Sequence, residues 1–182
     1  MRVITGTARG RRLRSLPGEH TRPTAARVKE AIFSIIQFDI EGRRVLDLFA
    51  GTGQMGIEAL SREAREAVFV DNNQEALSVI RANLEHTGLS DRGQVFAGDA
   101  PAWLRRRPEP FDIIFLDPPY QPKILTKTLN IIVSVDILTP GGIIVCETAA
   151  GLTPPELPPP YEHGRTYRYG TQVVSLYRRQ GN

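Results

Sequence analysis

The chain has 182 residues, 41% hydrophobic and 24% charged, which suits one soluble domain with a substantial core. No apolar run is long enough to span a membrane, and no apolar stretch follows the N-terminal charges, so neither a membrane span nor a signal peptide is expected. The single cysteine, Cys146, excludes an internal disulfide, the scattered His20, His86 and His163 lack metal-ligand spacing, and a reducing cytoplasm is the natural setting.

Net charge is only +3, but it is unevenly spread. Residues 1–29 hold Arg2, Arg9, Arg11, Arg12, Arg14, Arg22, Arg27 and Lys29 against one acid, Glu19, a local +7 that leaves −4 on the rest. A basic arm on an acidic body points to a phosphate backbone as partner. A solvated terminal hairpin is the plainer alternative. Val3-Ile4 and Leu13–Leu16 flank a Gly/Arg-rich turn, with Pro17-Gly18 closing it, so the segment reads as a hairpin or extended arm. Val28, Ile32, Ile35 and Ile36 then recur at helical spacing, predicting a helix over 25–38 with Pro23 and Thr24 at its start.

From Arg43 onward strands and helices alternate. A buried-type strand over 43–48 runs into Phe49-Ala50-Gly51-Thr52-Gly53 and a helix over 54–62. Gly51, Gly53 and Gly56 satisfy G-x-G-x-x-G, which lets backbone approach a ligand and a helix pack closely on a strand. A strand over 67–71 ends in Asp71, about 20 residues on, as a ribose-binding acid requires. A helix over 73–87 and a strand over 94–97 lead to Asp99 and Ala100, and a short helix is expected over 100–106. Asp47 lies inside the first strand, where it would repel a pyrophosphate but could hold a cationic amino-acid group. This argues against a nicotinamide dinucleotide. Three acids around a glycine loop suit S-adenosylmethionine, with Asp47 near the methionine end, Asp71 at the ribose and Asp99 at the adenine amine. Asp71 and Asp99 could instead cap helices. Asp47 has no easy structural excuse, because an unpaired buried carboxylate is costly.

The strand over 111–116 ends in Asp117-Pro118-Pro119-Tyr120. A nucleobase amine is a poor nucleophile, because its lone pair is delocalised into the ring. The Asp117 carboxylate and the Pro118 carbonyl are two acceptors that could hold its two protons and aim the lone pair at a methyl group. The prolines stiffen the turn, and Tyr120 offers a stacking face for an extruded base. The plain alternative is a strand ending in a Pro-Pro turn. A helix over 122–135, a Thr139–Gly142 turn and a strand over 142–147 follow. A proline-rich connector over 152–160 leads to a closing hairpin, with Arg165–Tyr169 and Val173–Tyr177 around Gly170.

This is the pattern of a doubly wound, Rossmann-like α/β sheet with a C-terminal antiparallel hairpin and an N-terminal basic hairpin and helix. It is read as one domain, with the arm and helix over 1–40 and the core over 41–182. If the first and fourth strands are neighbours at the switch point, the glycine loop and Asp117–Tyr120 come together.

On these motifs the chain resembles the bacterial 16S rRNA guanine-N2 methyltransferases of the small RsmD type. The resemblance rests on Gly6, Gly10-Arg11 and Leu13, on Thr21-Arg22-Pro23-Thr24 with Arg27-Val28-Lys29-Glu30, on Leu46–Gly53 with Gly56–Ser61, and on Asp117–Tyr120. It implies S-adenosylmethionine as donor, a guanine 2-amino group as acceptor, and an assembling 30S subunit as substrate for a monomeric enzyme. Asp117, Pro118 and Tyr120 would be catalytic. Asp47, Phe49, Gly51, Gly53, Asp71, Asp99 and Ala100 would bind the cofactor. Arg9, Arg11, Arg12, Arg22 and Pro119 would bind RNA. The chain departs from the family pattern in Ala26 (often Asp), in Thr52, Gln54 and Met55 of the loop, and in Asp71 (commonly Glu). A DNA adenine-N6 methyltransferase uses the same motif chemistry, but this chain has no spare recognition region beyond its arm. A non-catalytic RNA-binding protein would not need all of these acids.

Overall fold

The computed structural model describes residues 1–16, 23–118, 122–152 and 154–181. The expected Pro17-Gly18 turn and Arg22, Pro119 and Tyr120 lie outside the described residues.

The N-terminal segment folds back on itself. Arg2 and Arg12 form an antiparallel bridge, the Val3 N–H donates to the Arg11 carbonyl at 3.0 Å, and the Leu13 N–H donates to the Met1 carbonyl at 3.1 Å. Beyond that bridge the arm turns tightly, with the Gly10 N–H donating back to the Val3 carbonyl at 2.9 Å, while others of its polar groups bond to the body. Helix α1 (Pro23–Ile35) follows, then α2 (Gln54–Ser61), α3 (Gln74–Thr87), α4 (Ala100–Leu104) and α5 (Pro122–Val135). The Ile4 and Thr5 N–H groups donate to the Glu58 carboxylate of α2 at 2.8 and 3.0 Å. The Thr7 and Ala8 N–H groups donate to the carbonyl and hydroxyl of Ser61 at 2.8 and 3.0 Å. Val3, Ala8 and Leu13 are buried. Burying Val3 and Leu13 is worth about 1.5–3 kcal/mol each. Ordering each backbone residue costs about 1–2 kcal/mol, so the bonds to Glu58 and Ser61 are needed to hold the arm down. Gly6 is fixed by contact: at φ +88°, a Cβ there would lie 1.7 Å from the Ser61 carbonyl oxygen.

Seven strands form one sheet: β1 (Arg44–Leu48), β2 (Glu66–Asp71), β3 (Gly93–Ala97), β4 (Phe111–Leu116), β5 (Leu138–Ala149), β6 (Tyr161–Tyr169) and β7 (Gln172–Arg179). Their spatial order is β3-β2-β1-β4-β5-β7-β6. β1 to β5 pair in parallel, whereas β7 pairs antiparallel with both β5 and β6. β1, β2 and β4 are nearly continuous apolar runs because helices cover both faces.

The expected Thr139–Gly142 turn is part of a longer β5. Pairing with β4 jumps from Phe111–Leu138 to Ile113–Ile143, so the extra residues form a bulge instead of a free turn. The expected closing hairpin exists as β6 and β7, but its second strand slots between β5 and β6. α4 ends at Leu104 rather than 106.

Two clusters cover the faces. On the first, α1, α2, α3 and the arm pack Val3, Ile32, Phe33, Ile57 and Ile80 against Phe69, Phe115 and Val145. On the second, α4 and α5 pack Trp103, Leu104, Leu129 and Ile132 against Leu46, Leu48, Ile114 and Leu116. Because strand side chains alternate, Asp47 faces the first side between Leu46 and Leu48.

Candidate active site

The loop after β1 needs left-handed backbone at three places: Phe49 (φ 61°), Gly51 (φ 56°) and Gly53 (φ 76°). Phe49 is the costly one, since a residue with a Cβ rarely adopts this region. Its ring packs half-buried on the second face. The third fingerprint glycine works by contact, because a Cβ on Gly56 would lie 2.3 Å from Phe69 Cε1. A Cβ at Gly51 would meet nothing within 4 Å, so the loop backbone there borders open space.

Asp47 is 4% exposed, and its Oδ2 accepts from the Gly56 N–H at 2.9 Å. The sequence reading left Asp47 without a structural partner. It has one, in the first turn of α2, where backbone N–H groups lack helical acceptors. Burial pushes its carboxyl up from 3.8 to about 7, the Gly56 bond opposes this, and the Asp71 charge adds to it.

Asp71 does not cap a helix. Asn73 caps α3 by accepting from the Glu75 N–H at 2.9 Å. Asp71 Oδ2 accepts from the Gly51 N–H and Oδ1 from the Asn73 N–H, both at 2.8 Å. It therefore ties the glycine loop to the end of β2. The Gly98 N–H donates to the Asp71 carbonyl at 2.9 Å, drawing in the next loop. Asp99 is the N-cap of α4, accepting from the Ala102 N–H at 3.0 Å. Its capping role is real, yet the residue stays exposed, beside a buried Ala100.

β1 and β4 are neighbours, and Leu48 pairs with Leu116. Asp117 and Pro118 therefore emerge beside Phe49 and the glycine loop, as the switch-point argument requires. Asp117 is exposed and Pro118 buried. Pro119 and Tyr120 lie outside the described residues.

Glu147 was missed in the sequence. Cys146 pairs with Leu116, so Glu147 follows on β5 at the level where Asp117 leaves β4. It is half-buried, its carboxylate accepts from Gln172 Nε2, and burial raises its carboxyl above the ordinary range while that bond lowers it. The signal was present: Ile143–Cys146 ends in an acid just as Phe111–Leu116 does.

The edge thus places Asp47, Asp71 and Asp99 at the ends of three adjacent strands around an open glycine loop. Carboxylates so placed can accept from an ammonium, a ribose diol and an aromatic amine, so this set of acceptors fits S-adenosylmethionine. Among the described residues no cluster of metal-ligand side chains exists, and no helix is long and apolar enough to cross a membrane.

The basic arm divides on inspection. Arg9 and Arg12 are exposed and make no ion pair among the described residues. Arg11 donates to the His86 carbonyl at the end of α3, so part of its donor capacity serves the fold. Lys29, counted with the arm's charge, is 4% exposed and lies 3.5 Å from Glu58. Burial lowers its ammonium from the ordinary value, with Glu58 opposing. Arg22 lies outside the described residues.

Comparison with known proteins bears on the family and the fold. The sequence profile of a family described as "Conserved hypothetical protein 95" matches residues 1–178. The chain is 39% identical over 184 aligned residues to "Putative rRNA methyltransferase YlbH" of Bacillus subtilis, covering 100% of both. It is 30% identical over 180 residues to "Ribosomal RNA small subunit methyltransferase D" of Escherichia coli, covering 99% of this chain and 90% of that one. The solved structure of "Putative methyltransferase yhhF from Escherichia coli" superposes with a TM-score of 0.91 at 30% identity, covering 100% and 99% of the two chains. The chain belongs to the Conserved hypothetical protein 95 family, which includes ribosomal RNA small subunit methyltransferase D.

Proposed function

We propose that this protein methylates the exocyclic 2-amino group of a guanine in 16S rRNA, using S-adenosylmethionine. The observation that carries the reading is the Leu48–Leu116 pairing, which sets Asp117-Pro118 beside the glycine loop. The cofactor would supply an electrophilic methyl group on a sulfonium, held by the loop and by Asp47, Asp71, Asp99 and the backbone at Phe49, Gly51, Gly53 and Ala100. Asp117 and the Pro118 carbonyl accept from the two N2 protons and point the lone pair along the line of attack. Tyr120 would stack on the extruded base, and Pro119 would contact the RNA beside it. As the N–CH3 bond forms, the S–CH3 bond would break with its electron pair going to sulfur as a neutral thioether, and the nitrogen, now acidic, loses one N2 proton. Asp117 or water can take it, and Glu147, whose carboxyl is held high by burial, is a further acceptor one strand away. Alignment supplies much of the rate, up to about 7–11 kcal/mol in the best intramolecular cases.

Arg9, Arg11, Arg12 and Arg22 would contact RNA phosphates. The substrate would be an assembling 30S particle, methylated in the cytoplasm by a monomer that functions as one methyltransferase domain. The names of the relatives and the outward face of the arm support this reading. The test is transfer of tritiated methyl groups to 30S particles from cells lacking the enzyme, with naked 16S rRNA and duplex DNA in parallel and nucleoside analysis of the product. N2-methylguanine in the 30S sample is expected. N6-methyladenine in DNA would overturn the substrate assignment while keeping the Asp117 chemistry.

A further inference from the structure

On the second face of the sheet a groove of about 610 Å³ runs between α4 and α5, lined by Arg105, Lys123, Thr126, Lys127, Asn130 and Ile131. We propose that this groove binds the phosphodiester backbone of single-stranded RNA beside the target guanine, opposite the N-terminal arm. The proposal deepens the rRNA methyltransferase reading and rests on it.

The charges are not explained by helix stability. α5 contains no acid along Pro122–Val135, and Lys123 and Lys127 are spaced i, i+4. A like-charge pair at that spacing weakens a helix instead of supporting it. Lys123 also lies in the first turn, where the macrodipole favours an acid. For Arg105, Arg106 and Arg107, at the end of α4, the dipole gives a sufficient structural reason. For Lys123 it gives the opposite expectation.

Nor are these charges neutralised locally. Arg105, Lys123 and Lys127 are exposed and enter no ion pair among the described residues. Two acids near Arg105 in the chain are committed elsewhere. Glu109 lies 3.9 Å from Arg44, and Asp112 lies 3.6 Å from Arg43 and accepts from Thr139 Oγ1 at 2.9 Å.

The position suits the role. α4 and α5 both begin at the carboxyl edge of the sheet, α4 capped by Asp99 and α5 a few residues after Pro118. The arm, with its exposed Arg9 and Arg12, packs on the other face. An RNA strand delivering a base to Asp117 would be gripped on both sides of that base. Each lysine is one helical turn from the next, about 6 Å along α5, and the nearly buried Ile131 gives an apolar floor for the sugars.

The test is the triple variant R105Q/K123Q/K127Q, all at exposed positions, with R105K/K123R/K127R as the charge-preserving control. Binding of a short fluorescein-labelled single-stranded RNA is measured by anisotropy across a salt series. Each lost phosphate contact lowers the slope of log affinity against log salt by about 0.7, so a slope shallower by about 2 is expected, with the control unchanged. Methyl transfer to 30S particles should show a higher KM for the particle, with cofactor affinity unaltered. An unchanged slope and affinity would overturn the proposal. So would a normal RNA slope with impaired transfer to 30S, which would assign the groove to a ribosomal protein. If the wild type methylates no guanine, the functional reading fails, while the salt slope still decides the groove.

Discussion

The side-chain amide of Asn83 donates to the Thr52 carbonyl at 3.0 Å and to the Arg14 carbonyl at 3.1 Å, while its oxygen accepts from the Arg14 N–H at 2.7 Å. One fully buried residue of α3 thus joins the end of the basic arm to the glycine loop. Thr52 reaches the same segment a second time, with its hydroxyl 3.5 Å from the Met1 sulfur.

Asn83→Ala leaves the Thr52 carbonyl unpaired in the interior and the part-buried main-chain groups of Arg14 without their partner. Each such group costs about 1–3 kcal/mol, so a loss of about 2–4 kcal/mol is expected. At about 2–4 °C per kcal/mol for a chain of this size, thermal melting should fall by several degrees. Cofactor affinity, measured by calorimetry, should fall as well, because the loop loses its tether. Wild-type melting together with wild-type affinity would contradict the link.

Asp47 makes stability and ligand binding depend on pH in opposite directions. Its folded-state carboxyl lies at about 7, above its ordinary 3.8, so the fold favours the protonated form. The resulting stabilisation is present below pH 4 and is lost as pH rises through 7, amounting to about 4 kcal/mol at most. Asp47→Asn, which keeps an acceptor for Gly56, should therefore gain stability over wild type as pH rises through that window. A cationic ligand favours the carboxylate instead. S-adenosylmethionine should bind more tightly as pH rises towards 7 and release a proton below it. Calorimetry at pH 6.5 in buffers of different ionisation enthalpy reads that proton directly, and its absence would remove Asp47 from the ligand's surroundings.

Glu58 fastens the arm. It is fully buried and receives the Ile4 and Thr5 N–H groups, Arg62 Nε at 2.9 Å and the Lys29 ammonium at 3.5 Å. Glu58→Ala leaves Lys29 buried without its counter-charge, a change that costs about 3–5 kcal/mol. Limited proteolysis should then cut within residues 1–16 while the sheet survives. An arm as protected as in the wild type would contradict this account. Gly6→Ala tests the same docking sterically, because the added Cβ meets the Ser61 carbonyl.

Glu147→Gln keeps a hydrogen-bonding side chain but removes the carboxylate beside the Asp117 level. Turnover should fall by about 100-fold or more if Glu147 takes the proton. Cofactor affinity should stay unchanged. Near-normal turnover would leave the proton to Asp117 or water.

Much of this architecture was legible in the sequence because its signals are local. Gly51, Gly53 and Gly56 mark a loop whose backbone must turn and pack closely, and Asp71 and Asp117 mark strand ends by interrupting apolar runs. What stayed hidden depends on residues distant in the chain. Lys29 belongs by sequence to the basic first 29 residues, and only the Glu58 carboxylate, brought over by the fold, shows it to be internal. Asp47 looked unpartnered because its acceptor role runs to a backbone N–H, which no side-chain pattern announces. Glu147 matters through the pairing of Cys146 with Leu116, and the insertion of β7 beside β5 is equally a property of long-range pairing. The Thr139–Gly142 segment has the composition of a turn, yet Leu138 and Ile143 on either side of it both pair with β4, which makes it a bulge within one strand.

The most direct test of the central claim is single-turnover methyl transfer to 30S particles by Asp117→Ala, with S-adenosylmethionine affinity measured on the same preparation. The account predicts that transfer is abolished while the cofactor binds as in the wild type, because Asp117 holds the amine and not the donor. Wild-type transfer by this variant would contradict the placement of the acceptor base at the end of β4.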